Sequence, residues 1–297
     1  MSRKKQLSCL YTLSNRGSRN YRRVTIDKKD GGSRTLLVPC GLLKGVQRNI
    51  LHHVLDERPV SPCAQAYRKG TDIRGNASCH LGKKLVLKLD ISHFFDSILF
   101  PRVYGAAFPE TLFPPAAAML LTSLCCCNER LPQGSPASPA ISNLVMRPFD
   151  IYMDGWCRER GIAYTRYCDD MTFSGDFDAA ALCSKVRSYL EAMGFALNEK
   201  KTKLLTGDVR QSVTGIVVND KLQVSREYRK KLRQEVYYCK KYGIDAHLER
   251  VEADTGIRWE KERYICSVQG RLRFVLQVNP QDDEFAGYCR EWKELFM

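Results

Sequence analysis

The sequence predicts a mixed α+β protein with a mostly helical C-terminal part. In the middle of the chain, short runs of apolar and β-branched residues are interleaved with longer stretches of helical periodicity. Two of these runs are separated by only three residues, as in an antiparallel hairpin. From Ser225 the pattern is helical and basic to the end of the chain. Strands in the middle followed by helices are typical of the α+β class.

The first predicted elements lead up to an acidic residue. Leu43–Leu55 carries an apolar stripe at helical spacing and predicts a helix. Lys84–Ile91 has the sequence KLVLKLDI and predicts a buried strand with Asp90 near its end. A helix is predicted over residues 137–158, with a kink at Pro148 because proline lacks the N–H group that a helix interior needs.

The later elements include a tight hairpin. In chain order they are strand Gly161–Tyr167, strand Met171–Ser174, helix 179–193, strand Phe195–Leu205 and strand Val213–Val218. Only Cys168, Asp169 and Asp170 separate the first two strands, so two adjacent carboxylates are predicted at the hairpin tip. Gly194 is expected to end the helix that follows.

Composition favours a polyanionic partner. The chain has 297 residues, 44% of them hydrophobic, which is enough for a core and two or three subdomains. Its formal net charge is +14. Residues 1–29 carry nine Lys or Arg against one acid, and residues 221–250 carry nine against four. Two basic ends around a less basic middle suit a nucleic-acid channel, although a basic surface kept for solubility is the alternative.

The cysteines and the hydropathy pattern indicate a cytoplasmic protein. None of the 13 cysteines is spaced as C-x-x-C, and the cluster Cys125–Cys127 suits neither a disulfide nor a zinc site. We expect buried thiols in a reducing compartment. The N-terminus lacks the apolar core of a signal peptide, and Pro114–Cys127 is too short to span a bilayer. No membrane partner is therefore expected.

Three features in the middle of the chain carry candidate chemistry. Asp90 ends an apolar strand, Asp169 and Asp170 occupy the hairpin tip, and Leu131–Pro136 forms a rigid loop before a helix. Nucleotidyl transfer uses two divalent cations, and Mg²⁺ prefers carboxylate oxygens. Adjacent strands can bring these carboxylates together. The alternatives are ordinary turn chemistry for the Asp pair and a helix N-cap for Asp90.

These features together resemble the reverse transcriptase family. The matching segments are Tyr167-Cys168-Asp169-Asp170 (Tyr-x-Asp-Asp), Leu131-Pro132-Gln133-Gly134 (Leu-Pro-Gln-Gly), Leu89-Asp90 with Phe94-Phe95, Asn198–Thr202 and Arg34–Pro39. They extend over about residues 20–280 in the family's order. Cys168 departs from the Ala that is more usual in the bacterial branch, but it is also small.

The resemblance implies a right-hand polymerase fold and an RNA-directed DNA polymerase activity. The N-terminal segment and fingers would occupy residues 1–85, a palm with an antiparallel sheet 86–220, and a helical basic thumb 221–297. Two Mg²⁺ ions would be held by Asp90, Asp169 and Asp170. Phe95 would be the steric gate that excludes a ribose 2′-hydroxyl. Core packing is the alternative for Phe95, because Phe94 is its neighbour.

Other roles carried over by position concern the nucleotide. Gln133 and Gly134 would lie along the deoxynucleoside triphosphate. Arg34 and Lys29 would hold its phosphates, which match the forked donors of arginine well. Lys201 resembles a catalytic lysine proposed to protonate pyrophosphate. For each cation, a solvated surface position is the alternative.

Two further segments resemble the retron branch of the family. Asn76–His80 resembles its Asn-Ala-x-x-His motif, Val213–Gly215 its Val-Thr-Gly motif, and Gly270–Val275 its thumb. The residues expected to bind RNA are Asn76, His80, Val213, Thr214, Gly215, Arg229, Lys230 and Arg233. The last three lie in a segment where cations alternate with aromatics, and an ordinary solvated amphipathic helix is the alternative there.

The retron resemblance implies a bacterial enzyme that copies its cognate noncoding RNA into single-stranded DNA, joined to the RNA through a 2′–5′ branch. Its partners would be that RNA and its DNA copy, deoxynucleoside triphosphates, a separate effector protein in phage defence, and a host RNase H. The alternatives are a group II intron-like or other stand-alone bacterial reverse transcriptase, and a catalytically silent RNA-binding protein. An RNA polymerase on the same palm is disfavoured by Phe95.

Overall fold

The computed structural model describes residues 2–27 and 31–296. The helices are α1 Arg3–Arg16, α2 Gly41–Ile50, α3 Ile73–Ser78, α4 Phe94–Ser97, α5 Phe100–Ala107, α6 Pro115–Cys125, α7 Ser138–Arg158, α8 Ala179–Ala192, α9 Arg226–Tyr242, α10 Ile244–Thr255, α11 Lys261–Val278 and α12 Asp283–Phe296. The strands are β1 Tyr21–Asp27, β2 Ser33–Pro39, β3 Leu85–Asp90, β4 Ala163–Tyr167, β5 Asp170–Gly175, β6 Lys203–Thr206, β7 Ser212–Val213 and β8 Ile216–Val217.

The chain divides into two compact units. The first unit consists of Met1–Asp72 and Leu85–Leu204, and the second of Ile73–Lys84 and Leu205–Met297. The boundaries predicted for fingers, palm and thumb differ from this division, because the short segment 73–84 belongs to the second unit. The three-part division therefore stays a prediction.

A sheet whose β3–β5 and β4–β5 pairs are antiparallel forms the centre of the first unit. Its strand order is β4-β5-β3-β6, so the two strands of the predicted hairpin lie next to the strand that ends in Asp90. Both faces of β3 and β5 are covered, because Val86 and Leu87, which point to opposite faces, are both buried. The predicted strand Lys84–Ile91 and the predicted hairpin are confirmed.

Helix α7 supports this sheet. It packs against β4 and runs without interruption through Pro148. Its buried face includes Met146, Phe149 and Met153, which continue the core of the sheet. The predicted helix over 137–158 is therefore confirmed, and the kink expected at Pro148 stays a prediction.

The helix predicted over Leu43–Leu55 is confirmed: it is an α-helix as far as Ile50 and continues as a π-helical turn over Leu51–Leu55. The strand predicted over Phe195–Leu205 is restricted to β6, because Glu199–Lys201 forms a 3₁₀ turn. The hairpin of β1 and β2 was not predicted. Its strands pair from Tyr21 with Pro39 to Asp27 with Ser33.

The second unit is mostly helical, as predicted from Ser225 onward. The Ser225 side chain accepts a hydrogen bond from the Tyr228 N–H and so caps α9. Phe285 and Trp292 of α12 are fully buried and form part of this unit's core. Among the described residues, no helix is both long and apolar enough to cross a membrane.

The predicted burial of the cysteine cluster is confirmed. Cys125, Cys126 and Cys127 are free thiols in the interior of the first unit. Burial raises the pKa of Cys126 to about 12, so this thiol stays protonated and unreactive at neutral pH.

Candidate active site

Three carboxylates lie at one edge of the central sheet. Asp90 is the last residue of β3 and is paired in register with Asp170, the first residue of β5. Asp169 lies in the two-residue turn between β4 and β5, because Tyr167 pairs directly with Asp170. Asp90 is only 4% exposed, whereas Asp170 is exposed. The hairpin therefore brings together the acids that the sequence singled out.

The electrostatics of these acids fit a divalent cation. The pKa of Asp170 is raised to about 6, because the surrounding protein partly desolvates its carboxyl group and because the negative charges of Asp169 and Asp90 lie nearby. A bound cation would relieve this repulsion, and Mg²⁺ prefers such carboxylate oxygens. Within residues 2–27 and 31–296, no three His, Cys, Asp or Glu side chains are arranged so that they could hold a metal ion. Carboxylates are the donor type that magnesium prefers, but the Asp90 carboxylate faces other partners in this structure.

Those partners are Lys201 and Asn198. The Lys201 ammonium Nζ donates to Asp90 Oδ2 at 2.8 Å, and Asn198 Nδ2 donates to Oδ1 at 3.2 Å. The hydrogen bond with Asp90 raises the pKa of Lys201, and the charges of the three aspartates add to this effect. The ammonium group thus neutralises part of the negative charge where a metal ion would bind.

A cavity of about 600 Å³ opens in front of the carboxylates. The predicted site residues that line it are Arg34, Asp90, Phe95, Gln133, Asp169 and Lys201. Asn198, which begins the family-like segment Asn198–Thr202, lines it as well, together with Arg23 and His93, which no sequence pattern had singled out. Carboxylates and cations around one cavity are suited to a triphosphate accompanied by metal ions.

The two neighbouring phenylalanines have different surroundings. Phe94 is 3% exposed and packs in the core, with its ring centroid 5.3 Å from that of Phe95. Phe95 is only partly buried and lines the cavity. This difference favours the sugar-gate interpretation of Phe95 over simple core packing.

The loop around Gly134 is fixed to β2. The Leu37 N–H donates to the Gln133 carbonyl oxygen at 2.7 Å. Gly134 has φ +120°, and a Cβ there would lie 2.8 Å from the Leu37 carbonyl oxygen. Only glycine allows this close approach, which ties the loop to the strand that carries Arg34. Lys29, the other predicted triphosphate ligand, lies outside the described residues.

Comparison with known proteins identifies the family. The family model described as "Reverse transcriptase (RNA-dependent DNA polymerase)" matches residues 26–242. The chain belongs to the reverse transcriptase family. It is 35% identical over 288 residues to the retron Mx65 reverse transcriptase of Myxococcus xanthus, covering 90% of this chain and 63% of that protein. It is 32% identical over 266 residues to the retron Ec86 reverse transcriptase of Escherichia coli, covering 87% and 77%.

The family assignment and the fold agree. The Escherichia coli match is long enough to assign the chain to the retron-type reverse transcriptases. Telomerase from Candida albicans, in complex with a fragment of telomeric RNA, has a TM-score of 0.52 at 11% identity, covering 92% of this chain and 63% of that one. This likeness concerns the fold alone. The predicted right-hand polymerase fold is confirmed.

The residues of the two retron motifs meet within the second unit. Asn76 and His80 are buried, and Asn76 Nδ2 donates to Thr214 Oγ1 at 3.4 Å. Burial lowers the pKa of His80 to about 4, so the imidazole is neutral at pH 7. Val213 is 0% exposed. None of the Asn76, His80 and Val213 side chains is at the surface of this structure, and their contact with RNA stays a prediction.

The exposed part of the Val-Thr-Gly motif of this reverse transcriptase is a turn. Thr214 and Gly215 join β7 to β8 with φ of +47° and +84°, as in a type I′ hairpin turn. Gly215 is exposed and Thr214 is partly exposed. The buried Asn76 therefore supports this turn from within the unit.

The predicted RNA-binding cations of α9 differ in their surroundings. Arg229 forms ion pairs with Asp282 and Glu284 and lies over the Phe285 ring, with only 14% of its side chain exposed. Arg233 also pairs with Glu284. Nη1 and Nη2 of Arg229 are bonded within the unit, and the expectation that Arg229 binds RNA stays a prediction. Lys230 is exposed.

Proposed function

We propose that this chain is a magnesium-dependent RNA-directed DNA polymerase of the retron type, which copies a cognate structured noncoding RNA into single-stranded DNA. The observation that carries this proposal is the convergence of Asp90, Asp169 and Asp170 beside a cavity lined by Arg34 and Phe95. The relatives named as retron reverse transcriptases support the retron type.

In the proposed reaction the residues hold and orient the substrates. Asp90, Asp169 and Asp170 would bind two Mg²⁺ ions, which supply activation of the attacking hydroxyl and charge stabilisation of the pyrophosphate. Arg34 binds the triphosphate through its forked donors. The Phe95 ring occupies the space that a ribose 2′-hydroxyl would need, so deoxynucleotides are selected.

Lys201 has a separate role in this proposal. Its ammonium group is bonded to Asp90, and 54% of its side chain is exposed. Lys201 also lines the cavity proposed for the triphosphate, so its ammonium could donate a proton to the leaving pyrophosphate. Gln133 lines the same cavity and would lie beside the nucleotide there.

RNA recognition is assigned to the second unit. On α9, Lys230 and Tyr237 are exposed, and the Lys241 ammonium lies 5.5 Å from the centre of the Tyr237 ring. Exposed cations and aromatics of this kind bind phosphates and bases. The Thr214–Gly215 turn is a further proposed contact with the cognate RNA.

The wider biology rests on the retron resemblance. The DNA copy would be joined to its RNA by a 2′–5′ branch, and a host RNase H would remove template RNA. A separate effector protein would complete an anti-phage system in the bacterial cytoplasm. No membrane partner is proposed.

The activity is tested by RNA-templated DNA synthesis with purified protein. We expect deoxynucleotide incorporation that requires Mg²⁺ and stops with a chelator. A group II intron-like or other stand-alone reverse transcriptase would also pass this test. A catalytically silent RNA-binding protein would bind RNA equally well with and without chelator and make no DNA.

The retron type is tested by expressing the protein with the noncoding DNA upstream of its gene. We expect small DNA whose migration on a denaturing gel changes after debranching enzyme. Thr214→Asn removes the hydroxyl but suits the left-handed turn position, so the hairpin is retained. This variant should impair initiation on the cognate RNA more than extension of a generic annealed primer. Linear DNA without preference for the native RNA would reject the retron type.

A further inference from the structure

A fully buried arginine lies three residues before Asp169. Arg166 is in β4 and is 0% exposed, and no sequence motif had singled it out. Its side chain contacts the turn that carries Asp169. We propose that Arg166 is a positioning residue: it fixes the main chain of the Cys168–Asp169 turn and thereby the direction of the metal-binding carboxylates. This inference rests on the proposed function.

All five N–H donors of the Arg166 guanidinium are used. Nε and Nη2 donate to the two carboxylate oxygens of Asp150 at 2.8 and 2.7 Å. Nη1 and Nη2 each donate to Asn143 Oδ1 at 3.2 Å. The remaining bond runs from Nη1 to the carbonyl oxygen of Cys168 at 2.8 Å. A planar guanidinium with every donor satisfied has one orientation only.

The acceptors of Arg166 are themselves held in place. Asp150 and Asn143 belong to α7 and are both buried. The Tyr164 hydroxyl donates to Asp150 Oδ1 at 2.8 Å, and Asn143 Nδ2 donates to the Ala66 carbonyl oxygen at 2.9 Å. The guanidinium is therefore anchored to a long helix and not to a mobile surface group.

The main chain of Arg166 is equally constrained. Its N–H donates to the Cys63 carbonyl oxygen at 2.8 Å, and its own carbonyl oxygen accepts from the Gln65 N–H at 2.8 Å. The turn that it supports is unusual, because Cys168 has φ +62°, a region sparsely populated by residues other than glycine. Such a conformation persists only where the surroundings determine it.

The turn is thus fixed from two sides. On one side Arg166 binds the Cys168 carbonyl oxygen, and on the other the Asp169 carbonyl oxygen accepts from the Ile91 N–H at 3.2 Å. These two peptide groups flank the Cα of Asp169, so together they set the direction in which its side chain leaves the chain.

Stability alone does not account for this ion pair. A buried pair such as Arg166 and Asp150 can often be replaced by well-packed apolar residues without loss of stability. An apolar side chain, however, could not donate to the Cys168 carbonyl oxygen. Only the arginine supplies an N–H donor to the turn.

The test separates metal binding from folding. Arg166→Lys keeps the positive charge beside Asp150 but lacks the forked donors. In the double variant Arg166→Met with Asp150→Leu, both charges are replaced by apolar groups, so folding does not depend on an unpaired buried charge. Arg271→Met, in a half-buried ion pair with Glu235 of the second unit, is the matched control.

Manganese binding is measured by electron paramagnetic resonance without nucleotide, alongside circular dichroism and RNA-templated synthesis. For both Arg166 variants we expect native circular dichroism and metal binding weakened about 10- to 100-fold, as for other residues that orient metal ligands. The KM for deoxynucleotide at saturating metal should change much less. Arg271→Met should bind manganese as the wild type does.

Folded Arg166 variants with wild-type manganese affinity would overturn the positioning role, even if the wild type makes DNA. If the wild type itself showed no metal-dependent DNA synthesis, the proposed function would fail instead, whatever the manganese affinities of the variants.

Discussion

Gly134→Ala tests whether the loop beside the nucleotide cavity must lie against β2. In the structure a Cβ at this position would be 2.8 Å from the Leu37 carbonyl oxygen, well inside the roughly 3.3–3.6 Å of a weak C–H···O contact. The residue also has φ +120°, a backbone conformation that residues other than glycine rarely adopt. The substitution therefore forces the loop and the strand apart.

The two effects give the expected magnitude. Backbone strain of this kind costs about 1–3 kcal/mol, and overpacking a tight contact costs about 1–3 kcal/mol. The melting temperature should then fall by about 4 °C or more. Because β2 carries Arg34, the KM for deoxynucleotide should rise more than the affinity for RNA falls.

Gly45→Ala is the matched control in the same unit. Gly45 lies inside α2, and a Cβ there would meet nothing within 4 Å. Alanine should stabilise this helix by about 0.5–1 kcal/mol. Thermal denaturation and steady-state incorporation are measured on both variants. If Gly134→Ala kept both the wild-type melting temperature and the wild-type KM, the close approach would have no functional importance.

Three further predictions concern single side chains. Phe95→Val should raise ribonucleotide incorporation relative to deoxynucleotide incorporation in a competition assay. Phe94→Ala should instead lower the free energy of unfolding by roughly 3–5 kcal/mol in thermal melts, without changing sugar preference. The reverse pattern would show that Phe94 is the gate. Lys201→Met should lower the rate of incorporation yet leave metal binding at least as strong, because it removes the cation beside Asp90; weaker metal binding would contradict this. The pKa of His80 is lowered to about 4 in the folded chain. Below about pH 6.5 the unfolded chain therefore binds a proton at this side chain that the folded chain does not bind, so the free energy of unfolding falls with decreasing pH. His80→Gln should remove about 2 kcal/mol of the stability difference between pH 7 and pH 5, and an unchanged difference in denaturation experiments would refute that origin.

Local sequence patterns predicted the hairpin that carries Asp169 well. A two-residue turn between apolar strands is encoded by adjacent residues, so Asp169 and its neighbours could be assigned without tertiary information. The paired strands β1 and β2 could not be predicted, because most of their side chains are exposed and show no clear alternation.

Other features depend on contacts that are distant in sequence. The 3₁₀ turn around Lys201 lies where a strand was predicted. The Lys201 ammonium and the main-chain N–H of Asn198 both donate hydrogen bonds to Asp90. Likewise, the pairing of Arg166 with Asp150 joins a strand to a helix. Periodicity alone could not identify Asp90 as the partner of Lys201 or Asp150 as the partner of Arg166, because each pair forms only when the elements pack.

The most direct test of the proposed metal site is Asp169→Asn. Primer extension on an RNA template and RNA binding are measured on the same preparation, with Asp176→Asn as a control, because Asp176 is an exposed acid outside the cavity lining. The amide cannot supply the anionic oxygens that Mg²⁺ requires, so Asp169→Asn should bind RNA normally and make no DNA. The control should extend the primer at the wild-type rate. Normal extension by Asp169→Asn would contradict the assignment of Asp90, Asp169 and Asp170 as the metal site.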